Sequence, residues 1–196
     1  MKVLLLGPPR QTLIDFLECQ GDEVVTCEAP ITGSQLATMG MEFLISYGYR
    51  HILQAELLDR FPSRAINLHI SLLPWNRGAD PNLWSFLEDT PKGVTIHYLD
   101  PGIDTGAILA QRAVAFSPDD TLRTSYEALS VAIAELFRES WPAIRSGTAI
   151  ATPQPPGGST HRLKSKAAYA SLLTAGWDTP VRQLIGAARC QETNHV

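Results

Sequence analysis

Three polar residues stand at spacings that allow them to act together on a carbonyl group. Asn67 and His69 lie two residues apart in the segment 65–74, and Asp104 follows within the segment 100–109. Residues two apart on a β-strand project from the same face. An Asn amide is a permanent donor to a developing oxyanion, and an imidazole can move a proton near neutral pH. A nearby carboxylate favours the protonated ring, so this set could polarise a small carbonyl and manage one proton.

The residues around Asn67 and His69 predict the element that positions them. Ile66, Leu68 and Ile70 alternate with the polar pair, and Pro74 comes shortly after them. This pattern predicts a strand buried in apolar layers. Polar groups at the carboxyl end of such a strand lie where open α/β sheets place their ligands.

Apolar runs and segments of helical periodicity alternate along the chain, which predicts an α/β fold with a mainly parallel sheet. Strands are predicted at 2–6, 23–27, 43–46, 65–70, 94–98 and 108–116, the last two as a hairpin-like pair. Helices are predicted around 13–17, within 28–40, and at 55–60, 82–87 and 118–145.

The order and spacing of four motifs resemble those of a known enzyme family. The motifs are Asn67-x-His69-x-Ser-Leu-Leu-Pro, Arg77-Gly78, Gly-Val-Thr-Ile-His97 and Asp104-x-Gly-x-Ile. They resemble the N10-formyltetrahydrofolate-dependent formyltransferases, most clearly over about residues 40 to 115. The resemblance implies a Rossmann-like formyltransferase fold, N10-formyltetrahydrofolate as the formyl donor and no metal. It also implies that Asn67, His69 and Asp104 are catalytic. Separately, His97 is expected to have a supporting or structural role.

The resemblance implies a folate pocket made from two loops. One contains His51, Ile52 and Leu53, whose backbone groups are expected to meet the pterin ring, although a plain strand-to-helix loop is the alternative. The other contains Leu99, Asp100 and Gly102 and is expected to close over the same ring.

A further segment resembles the sugar N-formyltransferases and the formylation domains of nonribosomal peptide synthetases. Its pattern, Arg77-Gly78-x-x-Pro-x-x-Trp84, implies that Arg77, Gly78 and Trp84 bind the acceptor. The alternative is a surface loop in which Trp84 anchors a helix to the core. Residues 157–164 also resemble a sugar N-formyltransferase segment. Their basic residues His161, Arg162 and Lys164 are expected to be a solvated stretch, with contact to phosphates as the alternative.

The turn after the first strand lacks the features of a phosphate loop. Such a loop aims backbone N–H groups at phosphate, whereas Pro8 and Pro9 have no N–H and no Gly-x-Gly-x-x-Gly motif is present. Glycinamide ribonucleotide transformylases carry a Gly-rich loop here. This departure disfavours a purine-pathway assignment.

Composition restricts the class of protein. The chain has 196 residues, 44% of them hydrophobic and 18% charged, with a net charge of −4. These values predict one globular domain with no general attraction for nucleic acid. No apolar run is long enough for a membrane span. Three irregularly spaced cysteines predict reduced thiols of a cytoplasmic protein, not a disulfide set or zinc site.

The Pro- and Gly-rich segment 152–159 predicts a boundary. We expect a catalytic domain at 1–150 and a short helical C-terminal extension at 151–196 packed on it. Methionyl-tRNA formyltransferases continue into a sizeable C-terminal domain, so the short extension disfavours a tRNA acceptor. The same shortness favours a monomer or weak dimer.

The resemblance implies formyl transfer to a primary amine, with a nucleotide-linked amino sugar as the expected acceptor. Alternatives within the family are an aminoacyl group on a carrier protein, another amine metabolite, or water. An alternative of another class is a catalytically idle folate-binding or interaction module, which the presence of all three polar residues disfavours. A Rossmann-type sugar-nucleotide enzyme is disfavoured because the Gly-rich loop is missing.

Overall fold

The computed structural model describes residues 1–192, which divide into two compact units. The first comprises Met1–His69, Ile96–Ala110 and Ala134–Pro153, and the second Ile70–Thr95, Gln111–Ile133 and the described part of Gln154–Val196. The strands are β1 (Lys2–Leu6), β2 (Glu23–Cys27), β3 (Phe43–Ser46), β4 (Ala65–His69), β5 (Arg77–Gly78), β6 (Gly93–Tyr98), β7 (Ile108–Ala113) and β8 (Thr160–His161). The α-helices are α1 (Gln11–Cys19), α2 (Gly33–Met39), α3 (Ala55–Leu58), α4 (Pro81–Leu87), α5 (Leu122–Ser146) and α6 (Ala187–Glu192), and 3₁₀ helices occupy Leu163–Leu172, Gly176–Asp178 and Val181–Gln183.

Six strands form one sheet in the order β2-β1-β3-β4-β6-β7. The pairs β1–β2, β1–β3 and β3–β4 are parallel. Because the chain passes from β2 on one side of β1 to β3 on the other, the order reverses between β1 and β3. The predicted α/β fold with a mainly parallel sheet is therefore confirmed.

The first unit owes its core to strands that are apolar on both faces. Every residue of β3 is buried, as are four of the five in β1. On one face, Leu4 and Leu44 join a cluster with α2 and α3. Elsewhere Trp141 packs edge-on against Phe43, with ring centroids 5.0 Å apart. Strands buried on two faces read as continuous hydrophobic runs, which explains why these segments were predictable.

The second unit has a separate hydrophobic cluster around α4. Leu83, Phe86 and Leu87 pack there with Leu122 and Leu184. Proline at the first position of α4 suits a helix start, because its missing N–H has no intrahelical partner to lose. The short strands β5 and β8 form a second, two-stranded parallel sheet.

Some elements begin or end at residues other than those predicted, for local reasons. The long helix starts at Leu122 instead of residue 118, because Asp120 accepts from the backbone of Ser117 and closes a turn before it. Thr121 and Thr124 then exchange side-chain to backbone hydrogen bonds. The helical tail forms mainly 3₁₀ helices, one of ten residues and two of three residues.

The two-residue strands β5 and β8 were not predicted, because a period-2 pattern cannot be seen over two residues. Within residues 1–192, no helix combines the length and apolarity that crossing a membrane requires. The division at residue 150 stays a prediction.

Candidate functional site

β4 places Asn67 and His69 on one face of the sheet, as predicted. Parallel pairing aligns Ser46 of β3 with Asn67, so the amide lies level with the end of β3. His69 is the last residue of β4 and is 5% exposed. Ala65, two residues before Asn67 on the same face, packs in the hydrophobic cluster below it. The strand therefore holds both polar side chains on a buried apolar base.

The loop between β6 and β7 places Asp104. The Asp100 carboxylate accepts from the backbone N–H of Gly102 at 3.1 Å and from the Thr105 hydroxyl at 2.7 Å, which ties the loop to itself. Asp104 has a φ of 52°, in the left-handed region that Asp tolerates better than most residues. A Cβ on Gly106 would come within 1.8 Å of the Tyr98 carbonyl oxygen. Gly106 is therefore required for the close approach that seats Asp104.

The structure brings Asn67, His69 and Asp104 together. The Asn67 amide donates through Nδ2 to Oδ1 of Asp104 at 2.9 Å. The other carboxylate oxygen of Asp104 lies 3.6 Å from Nδ1 of His69. One carboxylate thus contacts both other members of the predicted set.

His97 of β6 also belongs to this cluster and is 1% exposed. Its Nδ1 lies 2.7 Å from the carbonyl oxygen of Tyr98. A carbonyl only accepts, so Nδ1 carries the proton. The other nitrogen, Nε2, lies 3.3 Å from Asn67 Nδ2 and 3.4 Å from Asp104 Oδ1. In the neutral ring Nε2 accepts from Asn67, whereas in the protonated ring it donates to Asp104.

This arrangement can act on a carbonyl by proton transfer and hydrogen bonding. The carboxylate of Asp104 faces Nδ1 of His69, so the charge lies beside a group that can take up and release a proton. A carboxylate beside an imidazole fixes its tautomer and stabilises its charged form. Burial of His69 and His97 strengthens such interactions, because water competes less.

Both loops predicted to bind folate lie in the first unit. Leu53 and Leu99 pack against the same hydrophobic cluster, and Leu99 donates its N–H to the Ala65 carbonyl at 2.9 Å. His51 and Ile52 are exposed, Ile52 by 73%. Two anchored loops with exposed tips provide apolar surface and backbone groups for a flat ring. Their role in binding stays a prediction, as does that of Asp100 and Gly102.

The residues predicted to bind the acceptor all contact one segment of the second unit, residues 154–161, which we call the strap. Arg77 donates to Oε1 of Gln154 through Nε at 3.0 Å and Nη2 at 2.8 Å. Gly78 lies so close to the strap that a Cβ there would approach the His161 carbonyl oxygen to 2.3 Å. Trp84 stacks on the His161 ring, with centroids 3.8 Å apart. The direct acceptor contacts stay predictions, while the structure gives these residues a second task, holding the strap.

A half-buried polar pair, His161 and Glu88, also holds the strap. Nε2 of His161 lies 3.1 Å from Oε1 of Glu88, and the Ser159 hydroxyl donates to Oε2 at 2.6 Å. Burial acts to raise the pKa of the Glu88 carboxyl, but the hydrogen bonds from His161 and Ser159 outweigh it and lower that pKa. Trp84 is 4% exposed and belongs to the hydrophobic cluster of the second unit. Its indole therefore supports the helix that carries it, which was the alternative interpretation.

One pair of residues at the carboxyl edge of the sheet was not predicted from sequence. The Arg10 guanidinium lies over the Tyr47 ring, 4.8 Å from its centroid. These two residues follow β1 and β3, which are far apart in sequence. An Arg after a Pro-Pro turn was the available signal, but only the strand order shows what it faces.

Comparisons with known proteins agree on one family. A sequence profile described as formyl transferase matches residues 27–139. The solved structure of the formyltransferase PseJ from Anoxybacillus kamchatkensis is 57% identical in sequence, with a TM-score of 0.93. The match covers 96% of this chain and 100% of that one. That structure contains UDP-4,6-dideoxy-4-formamido-L-AltNAc and tetrahydrofolate.

Two more distant structures show the same fold. A 4-N formyltransferase from Francisella tularensis is 22% identical, with a TM-score of 0.76 over 85% of this chain and 78% of that one. The N-formyltransferase from Helicobacter canadensis, solved with folinic acid and dTDP-3-aminofucose, is 17% identical. Its TM-score is 0.75 over 98% of this chain and 81% of that one.

Proposed function

Because the chain belongs to the formyl transferase family, we propose that it moves a formyl group from N10-formyltetrahydrofolate to the 4-amine of a UDP-linked 4-amino-4,6-dideoxy sugar. The chain is a folate-dependent N-formyltransferase whose acceptor is a small nucleotide-linked amino sugar. The observation that carries the finer proposal is the full-length match to PseJ, whose complex holds a 4-formamido sugar and tetrahydrofolate. Those two molecules are the products of such a transfer.

The reaction needs one bond formed, one bond broken and one proton moved. The neutral amine attacks the formyl carbon, and the tetrahedral intermediate then loses N10. A proton passes from the attacking nitrogen to the departing N10. Direct transfer of this kind requires no covalent bond to the protein.

We assign His69 to the proton transfer and to charge stabilisation. Its Nδ1 faces Asp104, and we assign Nε2 to take the proton from the amine and deliver it to N10. While protonated, the ring also stabilises the oxyanion. Asp104 orients the ring and, with its negative charge, favours the protonated state during the reaction.

Asn67 donates to the developing oxyanion in this proposal. Its Nδ2 has two hydrogens, and the shorter contact, to Asp104 at 2.9 Å, fixes the amide. The longer contact, to His97 at 3.3 Å, is the one that the formyl oxygen replaces. A donor fixed in advance costs no reorganisation as the charge develops.

The donor folate is assigned to the two loops of the first unit. The pterin ring would meet backbone groups of residues 51–53, with Leu99, Asp100 and Gly102 closing over it. Leu53 and Leu99 already rest on the apolar cluster, so both loops have a fixed base. Arg77, Gly78 and the strap they hold are assigned to the acceptor side.

A turnover assay with N10-formyltetrahydrofolate tests the function. Acceptors should include UDP-linked and dTDP-linked 4-amino sugars, a 3-amino sugar nucleotide, an aminoacyl carrier protein and a reaction without acceptor. We expect release of tetrahydrofolate with the UDP-linked 4-amino sugar, and a product heavier by one formyl group in place of one hydrogen. Turnover with the carrier protein alone, or equal turnover without acceptor, would refute the proposed acceptor.

A further inference from the structure

One tyrosine ties two loops of the first unit together. The Tyr49 hydroxyl donates to the carbonyl oxygen of Ala29 at 2.9 Å and accepts from the backbone N–H of Ile31 at 3.2 Å. Ala29 and Ile31 belong to the loop after β2, whereas Tyr49 belongs to the loop after β3. Because β1 lies between β2 and β3 in the sheet, strand pairing does not join these two loops. The hydroxyl of Tyr49 links them directly.

The surroundings of Tyr49 hold its side chain in one position. The ring is half-buried and packs, together with Ile31, against the hydrophobic cluster of the first unit. It also meets the His51 ring edge-on, with centroids 5.2 Å apart. Burial raises the pKa of the Tyr49 phenol above its ordinary value of 10.0, so the hydroxyl keeps the proton that it donates to Ala29.

The segment that follows Tyr49 depends on anchors at its two ends. Arg50, His51 and Ile52 are exposed, and the next residue, Leu53, packs against the hydrophobic cluster. In the part of the chain that the structure describes, the backbone of residues 50–53 forms no hydrogen bond to another backbone group. These N–H and C=O groups are therefore available to a ligand, but their position is set by Tyr49 on one side and Leu53 on the other.

Resting on the proposed function, we propose that Tyr49 is a positioning residue for the folate donor: its hydroxyl fixes residues 50–53 so that their backbone groups meet the pterin ring. A segment that is ordered before the ligand arrives loses less conformational entropy on binding, and affinity rises accordingly. Gly48 directly precedes Tyr49 and has a φ of 69°, so without the tether that end of the segment has a flexible joint. Tyr49 itself does not need to contact the folate.

Tyr49→Phe isolates the hydroxyl, because phenylalanine keeps the ring that packs on His51 and on the cluster. Calorimetric titration with tetrahydrofolate should show an affinity weaker by about threefold to tenfold, the range expected when hydrogen bonds of ordinary strength are lost. In turnover assays, KM for N10-formyltetrahydrofolate should rise with little change in kcat, because no reacting group is removed. The unfolding temperature should fall little, since the exposed carbonyl of Ala29 can bond to water instead.

Limited proteolysis with trypsin reports on the segment itself, because trypsin cleaves after arginine and Arg50 is exposed. Cleavage requires local opening of the chain, so Tyr49→Phe should be cut after Arg50 severalfold faster than the wild type, and tetrahydrofolate should slow the cut in both. Tyr169→Phe is the matched control: Tyr169 is also half-buried and meets an aromatic ring edge-on, that of Trp84 at 5.4 Å, but it lies in the second unit. Its folate affinity and its rate of cleavage after Arg50 should equal those of the wild type.

Unchanged folate affinity in a folded Tyr49→Phe variant overturns the proposal while the proposed function stands. So does a weaker affinity with an unchanged rate of cleavage after Arg50, since the hydroxyl would then act on the folate without ordering the segment. A failure of the proposed function is read from the wild type instead. If the wild type neither binds tetrahydrofolate nor transfers a formyl group, the function fails, and the role of Tyr49 in folate binding fails with it.

Discussion

The side-chain amide of Asn67 donates to the carboxylate of Asp104 across 2.9 Å, although 37 residues separate them in sequence. This contact fixes which end of the amide faces the carboxylate, because an amide oxygen there would be repelled. Nδ2 of Asn67 carries a second hydrogen, and this nitrogen lies 3.3 Å from Nε2 of His97. The amide is therefore oriented before substrate arrives, and that is the state in which a donor contributes most to catalysis.

Asn67→Ala should lower kcat by about 100-fold to 1,000-fold, the usual loss when one oxyanion donor is removed. Tetrahydrofolate affinity should change little, because the proposed contact forms with the reacting formyl oxygen and not with the folate ring. Steady-state kinetics and folate titration measure the two quantities. Asn82→Ala is the control: it also truncates a buried Asn, one that donates to the Leu122 carbonyl at 3.0 Å. That variant should lose stability and keep its kcat, whereas equal kcat losses in both variants would contradict the role of Asn67.

Asp104→Asn should lower kcat by about 100-fold or more, since it removes the negative charge that stabilises protonated His69. Asn is the suitable replacement because Asp104 has a φ of 52°, which Asn tolerates and most residues do not. The loop should therefore keep its conformation, and thermal unfolding should match the wild type. Asp104→Ala adds backbone strain, so it should lose stability as well as activity. Wild-type kcat in a folded Asp104→Asn variant would exclude Asp104 from the mechanism.

The sequence predicted Asn67, His69 and Asp104 because their spacing carries information at short range. Strand alternation placed two of them on one face, and the Asp104-x-Gly-x-Ile motif marked the third. The structure adds the reason for that pattern: Gly106 passes against the Tyr98 carbonyl, and Asp104 takes a left-handed backbone conformation.

Long-range pairings were not predictable in the same way. The stacking of Arg10 on Tyr47 depends on strand order, and the contact of Arg77 with Gln154 joins residues 77 positions apart. No local periodicity in the sequence indicates either of these two contacts. The sequence motif singled out Arg77, Gly78 and Trp84, but it did not show that all three contact the strap.

A buried ion pair in the first unit should make stability depend on acid pH. Burial acts to raise the pKa of the Asp22 carboxyl, but hydrogen bonds from Arg145, the N-terminal amine of Met1 and Trp141 outweigh it and hold that pKa below its ordinary value of 3.8. Arg145 donates through Nη2 at 2.8 Å and Trp141 through Nε1 at 3.2 Å. A carboxyl whose pKa is lowered by folding stabilises the protein at pH values above its pKa in the unfolded chain. This stabilisation is lost as the pH falls through its pKa in the folded protein.

Asp22→Asn should therefore lower the free energy of unfolding at pH 7 by about 1–3 kcal/mol, the cost of weakening charged hydrogen bonds to a buried group. The difference in unfolding free energy between wild type and variant should become smaller as the pH falls below about 4. Urea unfolding at several pH values measures this. Glu23→Gln is the control, because Glu23 is exposed and its pair with Lys2 is a surface contact of 3.2 Å. If the difference in unfolding free energy between wild type and Asp22→Asn stayed constant as the pH fell to the pKa of Asp22 in the folded protein, the assignment to Asp22 would be contradicted.

The strap explains how Arg77 can affect the acceptor without touching it. Arg77 donates twice to Oε1 of Gln154, and its backbone N–H donates to the Ser159 carbonyl at 2.9 Å. If Arg77 acts through the strap, Arg77→Ala and Gln154→Ala should each raise KM for the sugar nucleotide. Because each removes the same contact, the double variant should be no worse than the more impaired single variant.

Steady-state kinetics on the three variants completes this double-mutant cycle, and kcat should change little because no reacting group is removed. Arg77→Lys refines the result: lysine keeps the charge but cannot donate twice to one oxygen from a planar fork. If Arg77 holds the strap, lysine should behave like alanine. If Arg77 instead pairs with the acceptor's phosphates by charge, lysine should restore most of the affinity, and the effects of Arg77→Ala and Gln154→Ala on KM should multiply. The cycle thus distinguishes a residue that positions the strap from one that binds the acceptor.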